Sequence, residues 1–171
     1  GLSKTTFDCS NIGANTVTLT VTDVAGNAST CTATVTVVDV TPPTVVCQNI
    51  SVNLDASGNA TITPAQIDNG SSDVCTAVTL GLSKTTFDCS NIGANTVTLT
   101  VTDVAGNAST CNATVTVVDV TPPTIATLTG ISVNADSGVC TYASSQLTAP
   151  SSSDNCNVAS VVATPATLSL G

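Results

Sequence analysis

An all-β chain of antiparallel sandwiches in tandem is the fold this sequence predicts, on three observations. Apolar residues and threonines alternate strictly over two long stretches. Turn-forming residues punctuate the chain at short intervals. Positions 1 to 44 return at 81 to 124 with one change, Thr32 against Asn112. Period-two alternation marks strands with one buried and one wet face. Self-similarity at a fixed period makes the repeat, about 80 residues long, the unit of analysis.

In ANTVTLTVT, Val17, Leu19 and Val21 alternate with Thr16, Thr18, Thr20 and Thr22; in STCTATVTVV, Cys31, Ala33, Val35 and Val37 alternate with Thr32, Thr34 and Thr36. DVAGNA between them supplies Asp, Gly and Asn for a hairpin turn. VVDVTPPT follows at 37–44 and returns at 117–124. A Pro pair cannot continue a central strand and biases the preceding residue to extended geometry, so it reads as a stiff linker. VVCQNISVNLD, NATITPAQI and AVTLGLS give further short extended segments, for about seven strands in a complete unit, and nothing favours a helix. The expected domains are 1–41 as the C-terminal half of one repeat, 42–121 as a complete repeat, and 122–171 as the N-terminal half of the next.

Eleven Asp stand against two Lys, with no Glu, Arg or His, for a net charge of −9. So few cations argue against nucleic acid, whose phosphates need clustered Lys and Arg, and against anionic membrane surfaces. No apolar run approaches the roughly 20 residues of a spanning helix, so membrane insertion is not expected in this segment. An apolar fraction of 42% rich in β-branched residues can still bury a core. Eight cysteines without His ligands or a CxxC pair suggest disulfides before metal, which places the protein outside the cytosol.

The series C-x-x-I-x-V, S-x-D-x-C, V-T-x-T-V-T-D-x-A-G-N-x-S-T-C and V-x-D-x-T-P-P, covering essentially the whole chain, resembles the hyalin repeat (HYR) family. The resemblance implies immunoglobulin-like β-sandwiches in tandem, as in extracellular adhesion proteins and bacterial surface proteins, and a role in adhesion or scaffolding. The third unit departs from the pattern, with TIATLTGISVN where the second has TVVCQNISVN, so its first cysteine is missing.

In such a sandwich Cys47 on the first strand and Cys111 on the last could meet, and Cys75 with Cys89 would staple a mid-domain loop. Cys140 pairs locally with Cys156 or reaches across a junction, and Cys9 and Cys31 await partners from a neighbouring segment. N-glycosylation sequons stand at Asn27, Asn49, Asn59, Asn69, Asn107 and Asn112, the last created by the one change between copies. O-linked sugars on the outward Thr rows are the alternative. Asp39 and Asp119 before the linkers, with Asp68, Asp73 and Asp154 in Ser-rich loops, are calcium candidates at the interdomain junctions, since Ca²⁺ takes six to eight oxygens. Asp23 and Asp103, in the hairpins, fit turn capping better.

Without His or Glu, and with Lys4 and Lys84 at one repeated position, the sequence offers no catalytic constellation, so no enzyme is expected. The leading reading is a structural segment of an extracellular filament or cell-surface stalk whose partners are copies of itself, in one continuous polypeptide or head to tail. It rests partly on phase: residues 122–171 followed by 1–40 would complete a domain. The alternative is a binding module that recognises glycan or ice through flat Thr rows such as Thr16, Thr18, Thr20 and Thr22.

Overall fold

A computed structural model describes residues 1–127, 141–143, 150–161 and 167–169. The chain is all-β with antiparallel strands. It divides into two compact units, the first formed by Gly1–Ser51, Ile62–Thr85 and Ala94–Thr116, the second by Val52–Thr61, Thr86–Gly93 and Val117–Gly171.

In the first unit β1 (Gly13–Thr22) and β2 (Ala28–Val37) form the hairpin that alternation predicts. Its register sets Thr16, Thr18 and Thr20 opposite Thr34, Thr32 and Thr30, and Val17 and Leu19 opposite Ala33 and Cys31, so each face is chemically uniform. Asp23 builds the turn. One of its oxygens accepts from the Ala25 and Asn27 N–H groups, the other from the Asn27 side-chain amide, and Gly26 supplies the positive φ of 93°. Gly1–Ser3 runs beside β1, with Ser3 N–H donating to the Thr18 carbonyl at 2.9 Å.

The second copy of these letters gives β7 (Gly93–Asp103) and β8 (Ala108–Val118), the centre of a four-stranded sheet of order β3-β8-β7-β5, where β3 is Ile50–Asn53 and β5 is Val78–Leu82. Ser83 N–H donates to Thr98 as Ser3 does to Thr18. Burial separates the copies. Leu99 and Val101 are fully buried, as are Val97, Val115 and Ile67, whereas Leu19 and Val21 are 40% and 62% exposed. The same side chains on the same strand pattern therefore form a closed core in one copy, whereas in the other Val17 is buried and Leu19 and Val21 leave the apolar face open. That face holds a groove of about 390 Å³ lined by Leu2, Phe7, Val17, Leu19, Ala33 and Val35.

In the second unit β4 (Asn59–Thr61) pairs with β6 (Thr86–Asp88), burying Ala60 and Phe87, and Leu54 N–H donates to the Val118 carbonyl. Short pairs join β9 (Thr124–Ile125) to β11 (Ser152–Ser153) and β10 (Thr141–Ala143) to β12 (Thr167–Ser169). No helix among the described residues is long and apolar enough to cross a membrane.

The expectation of no helix is corrected by one turn, α1 (Pro64–Ile67), and two 3-10 turns at Cys9–Asn11 and Cys89–Asn91. Thr63-Pro64-Ala65-Gln66 carries its own start signal: Gln66 Oε1 accepts from the Thr63 N–H at 2.8 Å, and Pro64 presets φ at the first helical position. Asp8 opens its turn by accepting from Ser10 N–H while its own N–H donates to Asn11.

These turns are acid-sensitive. The Asp8 carboxyl is held below the usual range by the Ser10 hydroxyl and N–H, that of Asp23 by the Asn27 amide and N–H, and that of Asp68 by Ser71. A carboxylate with a depressed folded pKa contributes stability that is present above its unfolded value of about 3.9 and lost as pH falls through the folded value. The melting temperature should therefore hold level from about pH 7 to 5 and drop below about pH 4. A level melting temperature down to pH 2.5 would remove these turns from the energetic account.

Candidate functional site

The covalent links fix which segments meet. Cys47 is bonded to Cys111 of β8, the pair that the sequence suggested, although Cys47 lies ahead of β3 in an isolated bridge with Asp68 and not in a strand. The proposed Cys75–Cys89 staple is not formed: Cys75 is bonded to Cys9 and Cys89 to Cys156. The chain between Cys75 and Cys89 leaves the four-stranded sheet after β5 and enters the β4–β6 pair, so a short sequence gap is not a closed loop in space. Each bond instead joins an F-D-C before a Pro pair to an S-x-D-x-C after it, across 66 and 67 residues. The local Cys140–Cys156 pair is overturned with it, and Cys140 lies outside the described residues. Cys9 has its partner within this chain, and Cys31, expected to be bonded, is free and exposed. Gly58 makes room for the Cys89 link: a Cβ there would lie 2.7 Å from Cys89 Sγ and 3.0 Å from the Asn155 carbonyl oxygen.

In the first unit, S-x-D-x-C also brings Asp73 to Asp39 and Asp103. One oxygen from each carboxylate lies within 4.8 Å of the others, and this is the one such acidic group among the described residues. Asp39 and Asp103 are buried, at 7% and 5% exposure, and Asp73 is half-buried. The backbone orients all three. Asp39 Oδ1 accepts from Thr41 N–H at 3.0 Å, in the turn that the Pro pair closes. Asp73 Oδ2 accepts from Cys75 and Thr76 N–H at 2.8 and 2.9 Å, which holds its carboxyl below the usual range. Asp103 is gripped by Asn107, whose N–H and side-chain amide reach its two oxygens, and the same amide donates to the Asp39 carbonyl at 3.2 Å. Asp39 Oδ2 and Asp73 Oδ1 are buried without a hydrogen-bond partner.

Of the calcium candidates, then, Asp39 and Asp73 come together. Asp68 caps its own turn through the Gly70 and Ser71 N–H groups. Asp119 and Asp154 accept from Thr121 and Cys156 N–H, as Asp39 and Asp73 do from Thr41 and Cys75. Asp103, for which turn capping is the favoured expectation, serves both turn and cluster. A signal was available: V-x-D-x-T-P-P, S-x-D-x-C and D-x-A-G-N each carry one Asp and each occur twice.

The sequon residues Asn27, Asn49, Asn59, Asn69 and Asn112 are exposed, whereas Asn107 is half-buried with its amide committed to the cluster. Asn112 accepts from the Thr98 hydroxyl at 2.9 Å, so the one change between the copies places a side-chain hydrogen bond on the wet face of the sheet.

Sheet architecture and covalent links define a class, that of disulfide-linked all-β repeats. The chain is similar to hyalin of Lytechinus variegatus, at 37% identity over 69% of this chain and 23% of that protein. It is also similar to the serine-rich adhesin for platelets of Staphylococcus aureus, at 39% identity over 58% of this chain and 8% of the protein in strain MRSA252, or 5% in strain MSSA476. The chain thus spans less than a quarter of the length of these curated relatives. No family model matches it.

Proposed function

We propose that this chain is a non-catalytic structural segment of an extracellular filament or cell-surface stalk, in which the open face of the β1–β2 hairpin is covered by strands of a neighbouring repeat. One observation carries the reading: identical letters bury Leu99 and Val101 completely in the second copy and leave Leu19 and Val21 uncovered in the first. An uncovered apolar face beside the outer edge of β2, which pairs with no strand but β1, is a surface that another chain segment can complete. Cys31 fits the same scheme, since its counterpart Cys111 is bonded to Cys47 ahead of β3 and Cys31 lacks such a partner. Disulfides suit an oxidising, extracellular setting. Similarity to hyalin and to a protein named as an adhesin supports a role in adhesion or scaffolding.

In this reading the repeats run as 1–41, 42–121 and 122–171, and the partners are copies of the same repeat. Sedimentation over a range of concentrations, with negative-stain images, should show end-to-end association into rods. A strictly monomeric segment with no tendency to associate would end the reading. A second reading, an adhesin for glycan or ice, is favoured by the two-strand Thr ladder of β1 and β2. Binding on a glycan array or thermal hysteresis would support it, and inertness in both returns the Thr face to plain strand chemistry.

A further inference from the structure

The cluster of Asp39, Asp73 and Asp103 has no role in the account so far, and its geometry points to a ligand. We infer that these three carboxylates form a divalent-cation site of the calcium class, fastening the linker turn at Asp39 to the disulfide loop at Asp73 and the hairpin turn at Asp103. Two observations carry this independently. The first is proximity: three carboxylate oxygens within 4.8 Å of one another repel unless a cation lies among them. The second is what the remaining lone pairs do. Asp39 is more than nine-tenths buried, yet its Oδ2 has no partner, and neither has the buried Oδ1 of Asp73. Buried carboxylate oxygens without a donor are costly and rare unless they coordinate something.

The division of labour within each group matches a ligand set. Asp39 and Asp73 each spend one oxygen on backbone N–H groups and keep the other free, while Asp103 is fixed by Asn107. Ligands held in this way lose little freedom on binding. All the donors are hard oxygens, with no His or thiolate among them, which selects Ca²⁺ or Mg²⁺ over zinc or copper. Three carboxylates drawn from separate turns suit the larger, geometrically tolerant Ca²⁺. Mg²⁺ keeps most of its waters and is usually held through one or two carboxylates.

The repeat supplies an internal check. Asp119 and Asp154 have the same backbone anchoring as Asp39 and Asp73, but residues 122–171 contain no D-x-A-G-N to provide a counterpart of Asp103. Among the described residues this leaves one such site. This inference does not depend on filament assembly, because the three carboxylates belong to one unit.

The test is calcium titration of the intact, chelator-stripped chain by calorimetry, with equilibrium dialysis against radioactive calcium. The expected result is one saturable ion per chain with a dissociation constant on the order of 10⁻⁴ to 10⁻³ M, weaker binding of magnesium, and a melting temperature raised by calcium and returned by EDTA. Asp39→Asn keeps the acceptor for Thr41 and should weaken binding by at least about tenfold, whereas Asp119→Asn should leave it unchanged. Asp73→Asn is the second variant, and a β-sheet circular dichroism spectrum confirms that each is folded. Absence of saturable binding up to about 10 mM calcium, or unchanged affinity in folded Asp39→Asn and Asp73→Asn, overturns the site.

Discussion

Replacing Cys9 and Cys75 together by serine should lower the stability of the segment by about 4 kcal/mol, and Cys31→Ser should leave it within about 0.5 kcal/mol. The bond closes a loop across 66 residues, and the chain-entropy cost of leaving such a loop open grows with its length. Domains of this size are commonly stable by only about 5–15 kcal/mol, so one bond decides whether the first unit holds together at physiological temperature. The contrast with Cys31 is built in: it is free and exposed, and its removal opens no loop. Urea denaturation of the oxidised variants measures the difference. Peptide mapping after cleavage at Asp, carried out without reductant, identifies the pairs. A Cys75–Cys89 peptide in that map would contradict the cross-linker arrangement directly.

Leu99→Ala should cost about 2–5 kcal/mol and Leu19→Ala less than about 1 kcal/mol, although both leucines stand in the same ANTVTLTVT. Leu99 is fully enclosed, so truncation removes buried surface and leaves a cavity; Leu19 is already 40% exposed and has less to lose. Few proteins allow this comparison with the local sequence held constant. Denaturant midpoints in dilute solution give the first measurement. Repeating them where the segment associates gives the second, because covering the β1–β2 face should raise the cost of Leu19→Ala toward that of Leu99→Ala. Equal costs in dilute monomer would mean that the first hairpin is already covered.

Alternation made the long hairpins legible, because each threonine or valine independently states which face it occupies. The Cys47–Cys111 bond was suggested by the expected sandwich, which brings the start and end of the repeat together. Cys75 and Cys89 misled because spacing along the chain says nothing about a strand that changes sheets between them. Asp103 was half-legible: its turn role is local and visible in D-x-A-G-N, whereas its place beside Asp39 depends on a contact 64 positions away in sequence. The short α1 was masked by its β-rich surroundings, although Thr63, Pro64 and Gln66 together spell a helix start.

The two bonds that span the Pro pairs also set how the segment would carry a pulling load. From Cys9 to Cys156 the backbone runs roughly 150 residues, on the order of 500 Å when drawn straight. With both bonds closed, the shortest covalent route crosses from Cys9 to Cys75, follows the chain to Cys89, and crosses again to Cys156; the crossings span 4.9 and 5.3 Å between Cα atoms. That route is about 60 Å long at full stretch, so most of the contour length is held out of the load path. The Pro pairs, the hairpins and the acidic cluster all lie within the shielded loops, and only residues 75–89 bear force between the crossings. Such a strand has little length to yield while oxidised, whereas after reduction any unit that unfolds under load releases its full contour length, so the limit of extension depends on the redox state of its surroundings.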